Sequence, residues 1–302
     1  MSQLAGTGLS RWPAEWGYAE QVVTLPGLRM HAVEAGPADG QPVIMLHGFP
    51  ETAYTWRKQM GPLAAAGFRV VAPDLRGYNL TDKPGPYDMA TVVADVVHLM
   101  DAYGFEQACV AGHDWGANVA WRLNDWYPER LRRLAILNLP RPQILYRLIL
   151  RGNVEQLLRS SYVYFFQLRG VPERLLSAND YQMLRRTLQA SSLPGAFTDR
   201  DMDIYAEAWR QPGALSAMIG YYRDEFGRKL RDRAVEALAP VTLPTLMIWG
   251  KRDVALAFEG ATMSAATFEN GALVPFPQAG HFVHEEFPEA VNGLLLSFFA
   301  GV

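Results

Sequence analysis

Gly112-His113-Asp114-Trp115-Gly116 sets an acidic side chain between two glycines, after the apolar run Gln107–Ala111 and before a helical pattern at Ala117–Trp126. This is the form of a nucleophile elbow, with Asp where many such elbows carry Ser. The reactive side chain of an elbow sits on a tight, strained turn, and bulky neighbours would collide with the reversing chain. Taken alone, Asp114 would serve equally well as the N-cap of the following helix. Three further segments argue for chemistry. His47-Gly48-Phe49-Pro50-Glu51 follows the run Val43–Leu46, so the backbone N–H of Phe49 would face that of Trp115 across an oxyanion site. Gly250-Lys251-Arg252-Asp253 follows Thr245–Trp249, and Gly280-His281 follows Leu273–Phe276. Each places a titratable side chain just past the carboxyl end of a strand, where open α/β sheets carry their sites. Asp114, Asp253 and His281 then read as nucleophile, acid and base, in the chain order that such elbows accompany. His47 is read as fixing its own loop by hydrogen bonds.

An aspartate nucleophile restricts the reaction. With a free pKa of about 3.9 it is ionised at neutral pH and needs no base before it attacks. It is a weak nucleophile, suited to an electrophilic saturated carbon that bears a leaving group. Attack leaves an ester between Asp114 and that carbon. Neutral His281, oriented by Asp253, would then deprotonate a water that attacks the Asp114 carbonyl carbon, with the Phe49 and Trp115 amides holding the oxyanion. The leaving group decides what else is needed. A halide departs as a stable anion and needs only N–H donors. An epoxide oxygen departs as a basic alkoxide and needs an acid within hydrogen-bond reach. Tyrosine, with a free pKa of about 10, can donate while staying un-ionised.

The elements that must position these groups alternate. Gln21–Leu25 and Leu28–Ala35 flank Pro26-Gly27 as an antiparallel pair, followed by a strand at Val43–Leu46, a helix at Trp56–Ala66 and a strand at Arg69–Ala72. Met89–Tyr103 has a helical apolar stripe with Asp88 and Gly104 at its caps. Gln107–Ala111, Leu134–Leu137, Thr245–Trp249 and Leu273–Phe276 read as strands, and Glu289–Phe299 as a closing helix. Strands alternating with helices imply a mostly parallel sheet covered on both faces. Residues 141–240 show helical periodicity without a clear strand, so they are expected to form a helical cap inserted into a core made of 1–140 and 241–302. That insertion carries a net charge of +4 against −7 for the remainder, which favours attraction between the two parts.

Composition narrows the class. The 302 residues carry 28 Lys+Arg and 31 Asp+Glu, a net charge of −3, and this gives no basic footprint for nucleic acid. No apolar run is long enough for a membrane span and no secretory leader is visible in Met1–Glu20. The single cysteine, Cys109, lies in an apolar strand pattern, excludes an intramolecular disulfide and fits a reducing cytoplasm, the expected location. His284 and Glu285 follow His281 in the order H-x-x-H-E, which is not a zinc motif, so no metal and no cofactor are expected. His284 is expected at the start of the last helix or near the entrance. Trp12, Trp16 and Tyr18 suggest that the N-terminal arm packs on something. The sequence leaves monomer and homodimer open.

These motifs together resemble the α/β-hydrolase superfamily and, within it, the soluble epoxide hydrolases, over about residues 21–299. HGFPE at 47–51, DLRGYNLTD at 74–82, GHDWG at 112–116, WGKRD at 249–253 and GHFVHEE at 280–286 carry the resemblance. It implies an α/β-hydrolase fold with an inserted cap, no cofactor, and a small-molecule epoxide converted with water to a vicinal diol. It also implies a pocket lined by Phe49, Pro50 and Trp115. The insertion holds seven of the chain's 13 tyrosines. By resemblance, Tyr162 in Ser161–Gln167 and Tyr222 in Gly220-Tyr221-Tyr222-Arg223 are the ring-opening acids, with Tyr164 and Tyr221 as the alternatives beside them. Haloalkane and fluoroacetate dehalogenases share the aspartate and much of the pattern, and a hydrolytic dehalogenase is the first alternative. A catalytically silent ligand-binding protein of the same fold is the second. A serine-type esterase is disfavoured by the Asp at the elbow.

Overall fold

In the computed structural model, residues 2–3, 12, 17–225 and 236–302 are described. Nine strands among them form one sheet in the order β1-β2-β3-β5-β4-β6-β7-β8-β9. They are β1 (Ser2–Gln3), β2 (Ala19–Leu25), β3 (Leu28–Ala35), β4 (Gln41–Leu46), β5 (Phe68–Pro73), β6 (Ala108–His113), β7 (Leu131–Leu137), β8 (Thr245–Gly250) and β9 (Gly271–Phe276). The pairs β1–β2, β2–β3 and β3–β5 are antiparallel, and every pair from β5–β4 to β8–β9 is parallel. Strands β6 and β8 are buried throughout, as the covered centre of a parallel sheet requires. The register puts Leu46 beside Gly112, Leu137 beside Ile248 and His113, and Gly250 beside Phe276. The loops that leave β4, β6, β8 and β9 therefore open at one edge of the sheet.

Helices α1 (Arg57–Ala65), α2 (Met89–Tyr103) and α3 (Trp115–Trp126) join the first strands. Asp88 caps α2 by accepting the Thr91 N–H, and Gly104 ends it at φ 71°, in the left-handed region that favours glycine. Two starts differ from the sequence expectation. The segment expected as one helix from Trp56 opens as a 3₁₀ turn, Ala53–Trp56, because the Thr52 hydroxyl caps it early at Tyr54 N. Helix α3 starts at Trp115 and not at Ala117, so the elbow leads straight into it.

Between β7 and β8 the described chain is helical: α4 (Pro142–Leu150), α5 (Val154–Arg159), α6 (Ser161–Phe166), α7 (Val171–Ala190), α8 (Asp199–Trp209) and α9 (Ala214–Asp224). Helix α7 is broken at Ala178–Tyr181, where Asn179, Asp180 and Tyr181 have positive φ. Three helices follow, α10 (Phe258–Ala265), α11 (Val283–Glu286) and α12 (Pro288–Ala300). Helix α10 was not visible in the sequence, because its Phe-Glu-Gly-Ala-Thr-Met-Ser-Ala run has little periodicity. Trp12 is buried against the rings of Tyr18 and Tyr54, each 5.4 Å away, whereas Trp16 lies outside the described residues.

Candidate active site

The elbow is built by steric exclusion. Asp114 has φ 49° and ψ −119°, a conformation that costs a non-glycine residue strain. A Cβ on Gly116 would lie 2.1 Å from the Leu46 carbonyl oxygen, and one on Gly112 would lie 2.4 Å from that of Gly116. A Cβ on Gly48 would meet the Asp114 Cβ at 2.5 Å. Only glycine allows β4, β6 and the start of α3 to approach this closely. Asp114 makes no side-chain capping bond to α3, so the simple N-cap reading gives way. Its Oδ1 accepts the Phe49 N–H at 2.9 Å instead, and the carboxylate lines a cavity. Trp115 opens α3, so its N–H belongs to the first turn, where a helix supplies no internal partner.

The ends of β8 and β9 bring in the other two groups. His281 Nδ1 donates to Asp253 Oδ2 at 2.7 Å, and His281 Nε2 lies 3.6 Å from Asp114 Oδ2. Asp253 Oδ1 accepts the N–H groups of Ala255 and Leu256 at 2.7 and 3.0 Å. Burial opposes charge on His281, but the Asp253 and Asp114 carboxylates outweigh it and hold the ring's pKa well above its ordinary value. Burial likewise pushes Asp253 up, and it is overcome by the His281 charge and by donors from His281, Asn138 and Ala255, so its pKa is lowered.

Sequence reasoning missed a layer of residues beneath these. Asn138, with φ 45° just beyond β7, donates through Nδ2 to Asp253 Oδ2 at 2.7 Å and accepts the Gly250 N–H. It stands just past the end of β7, on the same side of the sheet as the other site residues, and that was the available signal. Both ring nitrogens of His113 face acceptors: Glu51 Oε2 at 2.7 Å and the His281 carbonyl oxygen at 2.9 Å. Glu51 also accepts the Gly48 N–H, so one carboxylate joins the loops after β4, β6 and β9. Burial raises the Glu51 pKa, but His113 and His284 override this and hold it well below the usual carboxylate range. His284 is fully buried in α11, with Nε2 2.7 Å from Thr55 Oγ1 and its ring 4.8 Å from that of Trp56. The expectation that it sits near the entrance or on the last helix is corrected: α11 precedes α12 and turns His284 inward. Burial, with help from His113 and Lys58, lowers its pKa to about 4, so it is neutral. His47 fixes its loop as expected, donating from Nδ1 to Gly48 O and accepting the Leu75 N–H.

The two tyrosines come from α6 and α9. Tyr162 and Tyr222 both line the cavity with Asp114 and His281, their rings 5.7 Å apart. Tyr222 also lies edge-on to Phe49 at 5.3 Å and to Trp115 at 4.9 Å. Burial raises the pKa of both phenols, and the nearby Asp114 charge adds to it. The alternatives lie elsewhere. Tyr164 is 52% exposed, and Tyr221 donates to the Arg76 carbonyl at 2.8 Å. Arg223, next to Tyr222, holds the pair in place: its Nε donates to Phe166 O at 2.8 Å, an Nη to Leu168 O at 2.7 Å, and it pairs with Glu173 at 2.6 Å. Thus one arginine ties α9 to the end of α6.

The cavity has a volume of about 240 Å³ and is walled mainly by apolar residues of the helices between β7 and β8, with Phe49, Pro50, Val254, Ala255 and Phe282 completing it. Trp115 lines a second space of about 90 Å³, which Asp114, Tyr162 and Tyr222 share.

Comparison with known proteins agrees with this arrangement. The family model for the alpha/beta hydrolase fold matches residues 41–288. The chain is 40% identical to the AB hydrolase superfamily protein YfhM of Bacillus subtilis, over 92% of this chain and 96% of that protein. It is 36% identical to human epoxide hydrolase 4, over 90% of this chain and 76% of that one. The crystal structure of Bacillus megaterium epoxide hydrolase superposes with a TM-score of 0.84 at 28% identity, covering 93% of this chain and all of that one. Elbow, strand order and relatives agree, and the chain belongs to the α/β-hydrolase fold family and, within it, to the epoxide hydrolases.

Proposed function

We propose that the protein hydrolyses an epoxide to a vicinal diol through an ester on Asp114. The observation that carries this reading is the position of Tyr162 and Tyr222, two un-ionised phenols on the same cavity as the Asp114 carboxylate. A halide would need no such donors; a departing alkoxide does. Relatives whose names include epoxide hydrolase support the same reading.

The steps balance. Asp114 attacks a ring carbon, the carbon–oxygen bond breaks, and a tyrosine hydroxyl gives its proton to the ring oxygen, which becomes the first diol hydroxyl. Neutral His281, aligned by Asp253, takes a proton from a water whose oxygen attacks the Asp114 carbonyl carbon. The amides of Phe49 and Trp115 stabilise the oxyanion; losing one such donor costs about 2.7–4 kcal/mol in other enzymes. The alkyl oxygen, originally Asp114's own, leaves with the proton held by His281. The carboxylic acid that remains returns a proton to the tyrosinate.

Replacing Tyr162 or Tyr222 with Phe is expected to lower the rate of adduct formation by about 10²–10⁴-fold, and replacing both to nearly abolish it. The assay follows diol formation from styrene oxide and halide release from a haloalkane and a haloacetate. A double variant within a few-fold of wild type, or halide release in place of diol, would overturn the assignment in favour of dehalogenation.

A further inference from the structure

Asp114, Tyr162 and Tyr222 line two spaces at once, the chamber of about 240 Å³ and the smaller one of about 90 Å³. On the proposed reaction, an epoxide held between these three residues directs its two substituents into different chambers. The larger chamber is apolar on most sides, with Phe165, Phe166, Leu176 and Leu184 among its walls. The smaller has an apolar wall of Leu139, Leu145 and Ile149, but Asn118 also faces into it.

Asn118 follows Asp114 by four residues on α3, so it lies one turn along the same helix face as the elbow. It is 5% exposed, and its Oδ1 is enclosed without a hydrogen-bond partner. Leaving a buried amide oxygen unpaired costs about 1–3 kcal/mol, which a polar partner reaching it from the chamber would offset. We propose that Asn118 selects epoxides whose shorter arm ends in a neutral hydroxyl group. A hydroxyl both donates and accepts, so it suits either end of the amide. Glu225 lines the same chamber too, and its Oε1 accepts the Met89 N–H. The volume limits the arm to a few heavy atoms.

This inference rests on the proposed epoxide chemistry, and its test separates the two. The probes are two epoxides with the same pentyl substituent, one bearing a hydroxymethyl arm and the other the near-isosteric ethyl arm. The ratio of their kcat/KM values is read within each protein, so any general loss of activity cancels. Wild type is expected to favour the hydroxymethyl epoxide by about tenfold or more, since a site built to bind a hydroxyl rejects the analogue that lacks it. Asn118→Leu, similar in volume, is expected to bring the ratio to one or below. Asn118→Ala gives the same reading should the leucine variant fail to fold. A wild-type ratio near one, or a preference kept in both variants, rejects the selection while the reaction stands. If neither epoxide is hydrolysed, the reaction is rejected and the selection with it.

Discussion

His281 and His31 show how the same ring is used in two ways. At His281 two carboxylates raise the pKa, and in the proposed reaction one of them, Asp114, loses its charge as the ester forms. The ring is then easier to deprotonate at the step where it must act as a base. The hydrolysis of a preformed adduct, followed by rapid quench, is therefore expected to speed up with rising pH and then level off. A rate that falls as pH rises would contradict this. At His31 the partner keeps its charge. Nδ1 donates to Asp74 at 2.7 Å, and Glu20 lies 3.1 Å from Nε2. Burial disfavours the charged ring, but these carboxylates raise its pKa from 6.5 to about 9, and Asp74 falls to about 2 against its own burial. A raised histidine stabilises the fold fully below pH 6.5 and loses that contribution as pH climbs through 9. A depressed aspartate contributes above pH 3.8 and loses it as pH falls towards 2. Denaturant midpoints are expected to decline on both sides of that plateau, and His31→Leu should flatten the alkaline side.

At the scale of elements, legibility followed the local chemistry of each segment. Strand ends with glycine and a titratable residue were legible, because a strained turn and a catalytic side chain leave few residue types open. Asp114, Asp253 and His281 therefore carried their spacing in the sequence, and α2 carried its stripe and caps. Most residues that hold others were not legible, His47 beside its glycine being the exception. Asn138 offered only its place past a strand end until its bond to Asp253 was seen, and Arg223 is recognised by the carbonyls at the end of α6 that it binds. His284 was misplaced because a four-residue helix has no periodicity to show which way it faces. Two variants test the elements. Gly116→Ala brings a methyl to within 2.1 Å of the Leu46 carbonyl, and backbone cannot move aside cheaply. The gain in helix propensity is outweighed, and a net loss of about 1–3 kcal/mol is expected in denaturant titration, with activity falling alongside. Arg223→Ala frees the end of α6 from α9 and is expected to slow adduct formation more than adduct hydrolysis, because it loosens the tyrosines and leaves His281 alone.

At the scale of the molecule, directed bonds tie the helices between β7 and β8 to the sheet and its loops. The excess of positive charge on 141–240 suggested simple attraction, yet a buried contact runs the other way, from core Arg57 to insertion Asp201 at 3.1 Å. Trp209 Nε1 donates to the Pro50 carbonyl at 2.6 Å, and Asp224 accepts the Tyr87 N–H at 2.7 Å. These bonds set the tyrosines of one part over the aspartate of the other, so the proposed chemistry belongs to both parts together. That chemistry requires a covalent bond to Asp114 that outlives the loss of the base. His281→Gln mixed with styrene oxide and examined by intact-protein mass spectrometry is the most direct measurement. A gain of one substrate mass, located on Asp114 after digestion, is expected, with little diol released. An unmodified protein that still forms diol would contradict it, since water would then reach the epoxide without an ester.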